Sequence, residues 1–228
     1  MSQNELLIKL MQTLQNIYRA TTKILYKVDV VYMDGPPKPG SIVASNHPGL
    51  LDGLTILLTT KSPIRVMAKT EIFQTVVGYF IRPAGAIPTD WHSPDRSALQ
   101  EVINSLDSGY SVGIFPEGTR CTGTYEWIRS GIGYVLLHRN RPVYPVAMFG
   151  SRLPNKKRSW IPFPRSRIVI VVGAPIVYSD SEVAGFDKFK ISQIQSLAER
   201  LRLDLRSFVA EVTQKYDLAE LTPVGKEQ

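Results

Sequence analysis

The chain has 228 residues, 43% of them hydrophobic and 21% charged, a balance that excludes a disordered or collagen-like chain and suffices for one α/β domain with a full core. Its 27 Lys and Arg against 20 Asp and Glu leave a formal charge of +7, which suits an anionic partner such as nucleic acid, a negatively charged membrane surface or a phosphorylated substrate. The single cysteine, Cys121, excludes an intrachain disulfide framework and a cysteine zinc cage, and makes a reducing compartment the default.

Residues 3–27 are expected to form one helix. Leu6, Leu7, Leu10, Leu14, Ile17, Tyr18, Ile24 and Leu25 recur at steps of three and four, with Lys9, Arg19, Lys23 and Lys27 among the polar positions. Two placements fit such a helix: flat in the headgroup region of a bilayer, or with its apolar stripe packed on the domain; the two are compatible if the helix packs on the domain and still exposes a few leucines. No run of about 18 uncharged apolar residues occurs. Glu5 comes early and polar residues interrupt the apolar ones, unlike a signal peptide. Any membrane contact is therefore expected to be peripheral, from the cytoplasmic side.

Residues 34–40 (DGPPKPG) read as a rigid turn. Beyond it, expected strands at 42–45, 64–68, 111–115, 143–149 and 167–172 alternate with expected helices at 51–60, 72–80, 97–106 and 125–138. The alternation predicts an α/β fold with a mixed, largely parallel central sheet flanked by helices. A long final helix over 187–216 carries the stripe Ile194, Leu197, Leu201, Leu205, Phe208 and Val212. The tail 222–228 is polar and contains Pro and Gly, as flexible ends do.

Two short segments carry chemistry, each expected at the carboxyl end of a strand, where open α/β sheets bind ligands. The first is Asn46-His47-Pro48-Gly49-Leu50-Leu51-Asp52. Pro48 suits a first helical position, which would put His47 at the cap, and a helix N-terminus disfavours the imidazolium. Asp52 can hold the other ring N–H only if His47 lies outside the helix proper, since positions five apart do not align on a helix. The second is Phe115-Pro116-Glu117-Gly118-Thr119-Arg120. Gly118 allows close backbone approach, and Arg120 offers a planar fork for phosphate or carboxylate. Glu117 fits either of two roles, ordering Arg120 or accepting a hydrogen bond from a substrate hydroxyl. Taken singly, each segment is equally an ordinary turn: a capping His with a surface Asp, and a local Glu–Arg pair.

In combination, Asn-His-x4-Asp followed about seventy residues later by Phe-Pro-Glu-Gly-Thr-Arg resembles the glycerophospholipid acyltransferase family, in particular its PlsC-like 1-acylglycerol-3-phosphate O-acyltransferases. Val143-Tyr144-Pro145-Val146 is similar to the family's fourth block, and Ala68-Lys69-Thr70-Glu71-Ile72-Phe73 to its Lys-x-Glu segment. The resemblance runs from about residue 28 to residue 180. The chain is expected to divide into an amphipathic segment over 1–33 with membrane contact, an acyltransferase domain over 34–221 and a tail over 222–228. It implies transfer of an acyl chain from an acyl-CoA or acyl carrier protein thioester to the hydroxyl of a lysophospholipid, with 1-acylglycerol 3-phosphate the foremost acceptor. No cofactor, metal or nucleic acid is expected. By the resemblance His47 and Asp52 are catalytic, and Asn46, Lys69, Glu117, Gly118, Thr119 and Arg120 bind substrate. Two other readings use the same residues: a CoA-independent transacylase, and a lipid-binding protein without turnover.

The second block departs from the family. Gly85-Ala86-Ile87-Pro88-Thr89-Asp90-Trp91 keeps the glycine and isoleucine but lacks the following Arg that holds the acceptor's phosphate, leaving Arg82 and Arg96 as substitutes. Ile128-Arg129-Ser130-Gly131 stands where Phe-Lys-x-Gly is common. Arg152, Lys156, Lys157, Arg158, Arg165 and Arg167, with Trp160 and Phe163, form a basic, aromatic stretch suited to anionic lipid or an acidic carrier, or simply to solvent. His92 and His138 stand alone, and Cys121 reads as a small filler open to modification.

Overall fold

The computed structural model describes residues 3–90, 92, 95–152, 162–187 and 190–222. Its centre is a seven-stranded sheet of β1 (Lys27–Tyr32), β2 (Ile42–Ser45), β3 (Ile64–Lys69), β4 (Ile87–Thr89), β5 (Ser111–Ile114), β6 (Val143–Phe149) and β7 (Arg167–Val172), in the order β1-β7-β6-β2-β5-β3-β4. Every neighbouring pair is parallel except β6–β7, so the sheet is mixed and largely parallel as expected. The apolar runs at β2, β5, β6 and β7 are buried on both faces, the pattern of strands with helices on either side. Two strands escaped the sequence reading, and both are at edges. β1 half-exposes its residues, and β4 is three residues long with a central Pro88, which an edge tolerates.

One face of the sheet is covered by α4 (Arg96–Asp107), α5 (Gly131–His138) and α7 (Ile191–Lys215). The predicted α7 stripe does this work through Leu197, Leu201, Leu205, Phe208 and Val212. The other face is covered by α1 (Gln3–Leu25), α2 (Asp52–Thr55) and the 3-10 turn Ile56–Thr59. The remaining helices are α3 (Val76–Ile81) and α6 (Asp180–Ala184), the latter closed by a capping box of Ser179 and Glu182.

Several expected helices are shorter, each for a local reason. The 51–60 helix is α2 plus the 3-10 turn, and it begins at Asp52, so Pro48 is not its first residue and His47 does not cap it. The 72–80 helix breaks at extended Thr75 into a 3-10 turn and α3. The 125–138 helix is helical only from Gly131. Tyr125 has φ +53°, and the N–H groups of Tyr125 and Arg129 are bonded to Glu117 and to the Pro116 carbonyl instead of to helical partners. The final helix begins at Ile191, after extended Lys190, rather than at 187. Trp91, Lys156, Lys157, Arg158 and Trp160 lie outside the described residues.

α1 packs on the domain and still exposes several residues of its stripe. Its domain-facing side is mixed: Met11, Gln15 and Thr22 are buried, while Leu6, Leu10, Ile17, Ile24 and Leu25 of the predicted stripe face outward. Gln15 replaces apolar packing with a clamp, donating to the Ile64 and Ala84 carbonyls (2.8 and 2.9 Å) and accepting from the Ile64 N–H (3.3 Å). Half-buried Arg19 adds bonds to the carbonyls of Leu57 (2.7 Å) and Ser62 (3.3 Å). Gly85 is required where α1 meets the second block. Its φ is +88°, and a Cβ there would lie 2.3 Å from the Met11 sulfur.

Replacing Gln15 with Ala strands three buried backbone groups, so we expect a loss of at least about 2 kcal/mol of stability. A lower urea midpoint with an unchanged slope is the corresponding measurement.

Candidate active site

β2 is flanked by β5 and β6, all parallel, so the loops after these three strands emerge side by side. The loop after β2 carries His47, and His47 Nδ1 lies 2.8 Å from Asp52 Oδ2. The pairing is possible because His47 precedes the helix by five residues. The same Asp52 oxygen accepts the Gly49 N–H at 2.7 Å, which folds the loop back on itself. Asp52 is fully buried, and His47 keeps a 20% exposed side chain. With Nδ1 committed to Asp52, Nε2 is the ring nitrogen left to meet a substrate. The imidazole stacks on Phe115, ring centres 4.4 Å apart.

The loop after β5 holds His47 by its backbone. Glu117 Oε2 accepts the His47 N–H at 2.9 Å, and the Cys121 N–H donates to the His47 carbonyl at 3.2 Å. Glu117 Oε1 accepts the Tyr125 N–H at 3.1 Å. This carboxylate is 1% exposed, and desolvation raises its pKa against the opposing pull of the Cys121 thiol and the two N–H groups. Its position differs from both roles read in the sequence: it binds backbone inside the protein. The turn that buries it needs Gly118 at φ +72°. Tyr125, wholly buried in a left-handed conformation, is held further by Arg202 of α7, which donates to its carbonyl at 2.9 Å.

Asn46 is also buried. Its amide donates to the carbonyls of Gly123 and Met148 (both 3.2 Å) and accepts the Met148 N–H at 2.7 Å, tying the loop to β6. Thr119 is exposed and Arg120 half-buried at the surface of the β5 loop. Burial lowers the Arg120 pKa, while the charge of Asp52 raises it and that of Arg152 lowers it. Lys69 ends β3, paired with Thr89 of β4 and one strand removed from the β5 loop. The structure thus joins His47, Asp52, Asn46 and Glu117 directly, buries Gly118 in the turn beside them, sets Thr119 and Arg120 at the rim, and leaves Lys69 at the next strand end.

A cleft of about 680 Å³ opens beside this centre, at the ends of β3, β4 and β5. Its apolar wall includes Met67, Leu99, Ile114, Phe115, Ile132 and Ile194, and Arg96 and Arg129 also line it. Phe115 thus touches both the cleft and the His47 ring. Of the two arginines offered for the second block, Arg96 lines this cleft, while exposed Arg82 lies over the Phe73 ring, 5.6 Å from its centre. The walls come from six separate elements, β3, β4, β5, α4, α5 and α7, so the cleft had no signal in any one segment.

A family model described as Acyltransferase matches residues 12–149, from within α1 to the end of β6. The chain belongs to the acyltransferase family. It is 29% identical over 147 residues to the 1-acyl-sn-glycerol-3-phosphate acyltransferase of Bacillus subtilis, spanning 64% of this chain and 71% of that protein. Its 28% identity to the Streptococcus pneumoniae protein of the same name covers 160 residues, 69% of this chain and 56% of that one. The crystal structure of the 1-acyl-sn-glycerophosphate (LPA) acyltransferase PlsC from Thermotoga maritima has the same fold, with TM-score 0.64 at 21% identity over 93% of this chain and 83% of that one.

Burial and the Glu117 carboxylate push the Cys121 thiol up to about 12. At pH 8 only roughly one molecule in 10,000 carries the reactive thiolate. Native protein should therefore resist iodoacetamide that labels it readily in urea, as mass spectrometry would show. Replacing Glu117 with Gln puts an NH2 where one of two backbone N–H groups is accepted. We expect lower thermal stability and, in a direct assay of acyl transfer, at least a tenfold fall in kcat.

Proposed function

We propose that this acyltransferase moves a fatty acyl chain from a thioester to the free hydroxyl of a lysophospholipid, with 1-acylglycerol 3-phosphate as the acceptor. The observation that carries the reading is the His47–Asp52 pair at the end of β2, beside an apolar cleft. The names of the relatives support the acceptor, and the intact Glu117–Arg120 segment supports a phosphorylated one.

In this mechanism the acceptor hydroxyl lies at His47 Nε2. As its oxygen attacks the thioester carbonyl, the proton passes to Nε2, and Asp52 balances the imidazolium that forms. The tetrahedral intermediate then collapses. The C–O ester bond is kept, the C–S bond breaks, and His47 returns the proton to the departing thiolate. The acceptor is itself the nucleophile, so no acyl-enzyme is required. The cleft takes the acyl chain; its volume falls within the range of about 300–1,000 Å³ of small-molecule sites. Arg120 holds the acceptor's phosphate. Asn46 and Glu117 serve as positioning residues, because their polar atoms are occupied by backbone.

The outward side of α1 supports a membrane surface as the place of work. Leu6, Leu10, Ile17 and Ile24 are exposed there, and Val76, Val77, Tyr79 and Phe80 are exposed on α3, which the Tyr18 hydroxyl joins to α1 by donating to the Phe80 carbonyl at 2.9 Å. Such exposure on an amphipathic helix fits lipid contact. No described helix is long and apolar enough to cross a membrane, so the contact envisaged lies along the surface.

The test is acyl transfer by purified protein in detergent or liposomes. Acyl-CoA and acyl carrier protein thioesters are offered in parallel to a panel of lysophospholipids. Phosphatidic acid should form with wild type, and both His47→Ala and Asp52→Asn should lower kcat by at least a thousandfold while the circular dichroism melt is retained. Product formed equally by His47→Ala would overturn the mechanism. Product without added thioester would redirect the reading to transacylation.

A further inference from the structure

Tyr125 carries a bulky side chain in the left-handed region, at φ +53°, a conformation that costs free energy and persists only where neighbouring groups hold it. No hydrogen bond of the side chain does the holding. The ring is wholly buried in the core, and its hydroxyl has no hydrogen-bond partner among the described residues. The backbone is held instead, from both sides. The Tyr125 N–H donates to Glu117 Oε1 at 3.1 Å, and the Tyr125 carbonyl accepts from Arg202 Nη1 at 2.9 Å. The chain becomes helix α5 a little further on, at Gly131, and the composition of 125–130 would let that helix extend backward. The two bonds at Tyr125 oppose this.

Arg202 is itself fixed for this contact. Its side chain is only 12% exposed, and its Nε and Nη2 donate to the two carboxylate oxygens of Glu199, one turn earlier on α7, at 2.8 and 2.6 Å. The paired bonds set the plane of the guanidinium and leave Nη1 directed at the Tyr125 carbonyl, with the Glu126 carbonyl at 3.5 Å. A series of bonds then runs inward to the base. Arg202 holds the Tyr125 carbonyl, the Tyr125 N–H holds Glu117, and Glu117 Oε2 accepts the His47 N–H at 2.9 Å. The other end of the segment is anchored separately. The Arg129 N–H donates to the Pro116 carbonyl at 2.8 Å, where both residues border the cleft.

We infer that Arg202 is a positioning residue for acyl transfer: by holding Tyr125 in its left-handed conformation, it keeps Glu117 in place on the backbone of His47. The inference rests on the function proposed above and puts part of its machinery on α7, which neither motif reaches. Without Arg202, Tyr125 relaxes toward the helical region and its N–H leaves Glu117. The carboxylate then keeps fewer hydrogen bonds in a buried place, and its hold on His47 slackens. His47 still has Asp52, and the cleft still has its wall. What is lost is the placement of the base, so the effect falls on kcat and spares the binding of both substrates.

The test compares wild type with Arg202→Met, which keeps the apolar stem and removes the donors, and with Arg202→Lys, which keeps a charge and loses the fork. Arg200→Met is the control, because it breaks a different ion pair of α7, that of Arg200 with Glu182. In the acyl-transfer assay, below the melting transition of every variant, Arg202→Met should lower kcat at least tenfold, with the KM for acceptor and for thioester each within about twofold of wild type. Arg202→Lys should fall between, and Arg200→Met should match wild type. A second readout needs no substrate. The Cys121 thiol is bonded to Glu117, so its alkylation by iodoacetamide in native protein reports whether that carboxylate is held. Arg202→Met should be alkylated at least tenfold faster than wild type at the same pH. Equal alkylation of the two proteins overturns the inference, whatever the turnover assay gives. A fall in kcat shared equally by Arg200→Met overturns it in favour of general loosening of α7, and so does a raised KM with kcat unchanged. Should Arg202→Met fail to fold, Arg202→Lys carries both comparisons. Absence of turnover by wild type overturns the function proposed above instead, and alkylation alone then decides whether Arg202 holds the loop.

Discussion

The arrangement depends on one buried carboxylate. Glu117 is drawn beneath the loops that follow β2 and β5, where it accepts one N–H from His47 and another from Tyr125. Burying a charge is costly unless hydrogen bonds compensate it, and here both oxygens are used. The cost is visible in the raised pKa of Glu117 and in that of the Cys121 thiol beside it. The gain is positional. The backbone of His47 is fixed on both sides, by Glu117 at its N–H and by Cys121 at its carbonyl, before its side chain makes any bond. Asn46 repeats the device toward β6. An imidazole placed by backbone bonds and then turned by Asp52 loses little freedom when a substrate arrives, which is how an oriented base lowers a barrier.

The sheet turns this local stitching into a site with two unlike sides. Because β5, β2 and β6 are parallel neighbours, three loops meet over one edge, and His47 stands on the middle one. Toward β3 and β4 the surroundings are apolar, closed by α4, α5 and the start of α7. Toward β6, Ser151 packs on Gly49 of the His47 loop. α1 extends the same division outward. Its clamp through Gln15 and Arg19 uses directional hydrogen bonds to the domain, which frees Leu6, Leu10, Ile17, Ile24 and Leu25 for the outer surface. A helix packed by its apolar stripe would have buried those residues instead.

The parts legible in the sequence were those encoded by neighbouring residues. Five strands stood out as apolar runs, and the His47–Asp52 pair was legible through the resemblance of the two motifs taken together, since its spacing alone also fits a capping His and an unrelated surface Asp. The α7 stripe also packed as its periodicity implied. The less legible parts were decided by partners far along the chain. Periodicity located α1 but could not tell which face a buried Gln15 would choose, because its partners are Ile64 and Ala84. The segment 125–130 has helical composition, yet Glu117 and Arg202 claim its backbone groups. Glu117 and Asn46 were recognised as important, but a motif does not say whether a polar side chain faces substrate or backbone. Ser151 is about a hundred residues from Gly49 and meets its loop only through the β2–β6 pairing.

The same contacts bear on how the acyl group travels. A covalent relay would need a nucleophile next to His47, and the thiol of Cys121 is the group whose chemistry would suit it best. That thiol is bonded to Glu117 and pushed up to about 12, so at neutral pH it is held as the inert acid. Lowering its pKa would require a cation where Glu117 stands, and Glu117 cannot be exchanged for one without releasing the His47 N–H. The stitching that positions the base therefore disarms the neighbouring sulfur. A base with its proton-accepting nitrogen free, no activated sulfur beside it, and a cleft alongside favour direct attack by the acceptor hydroxyl on the thioester.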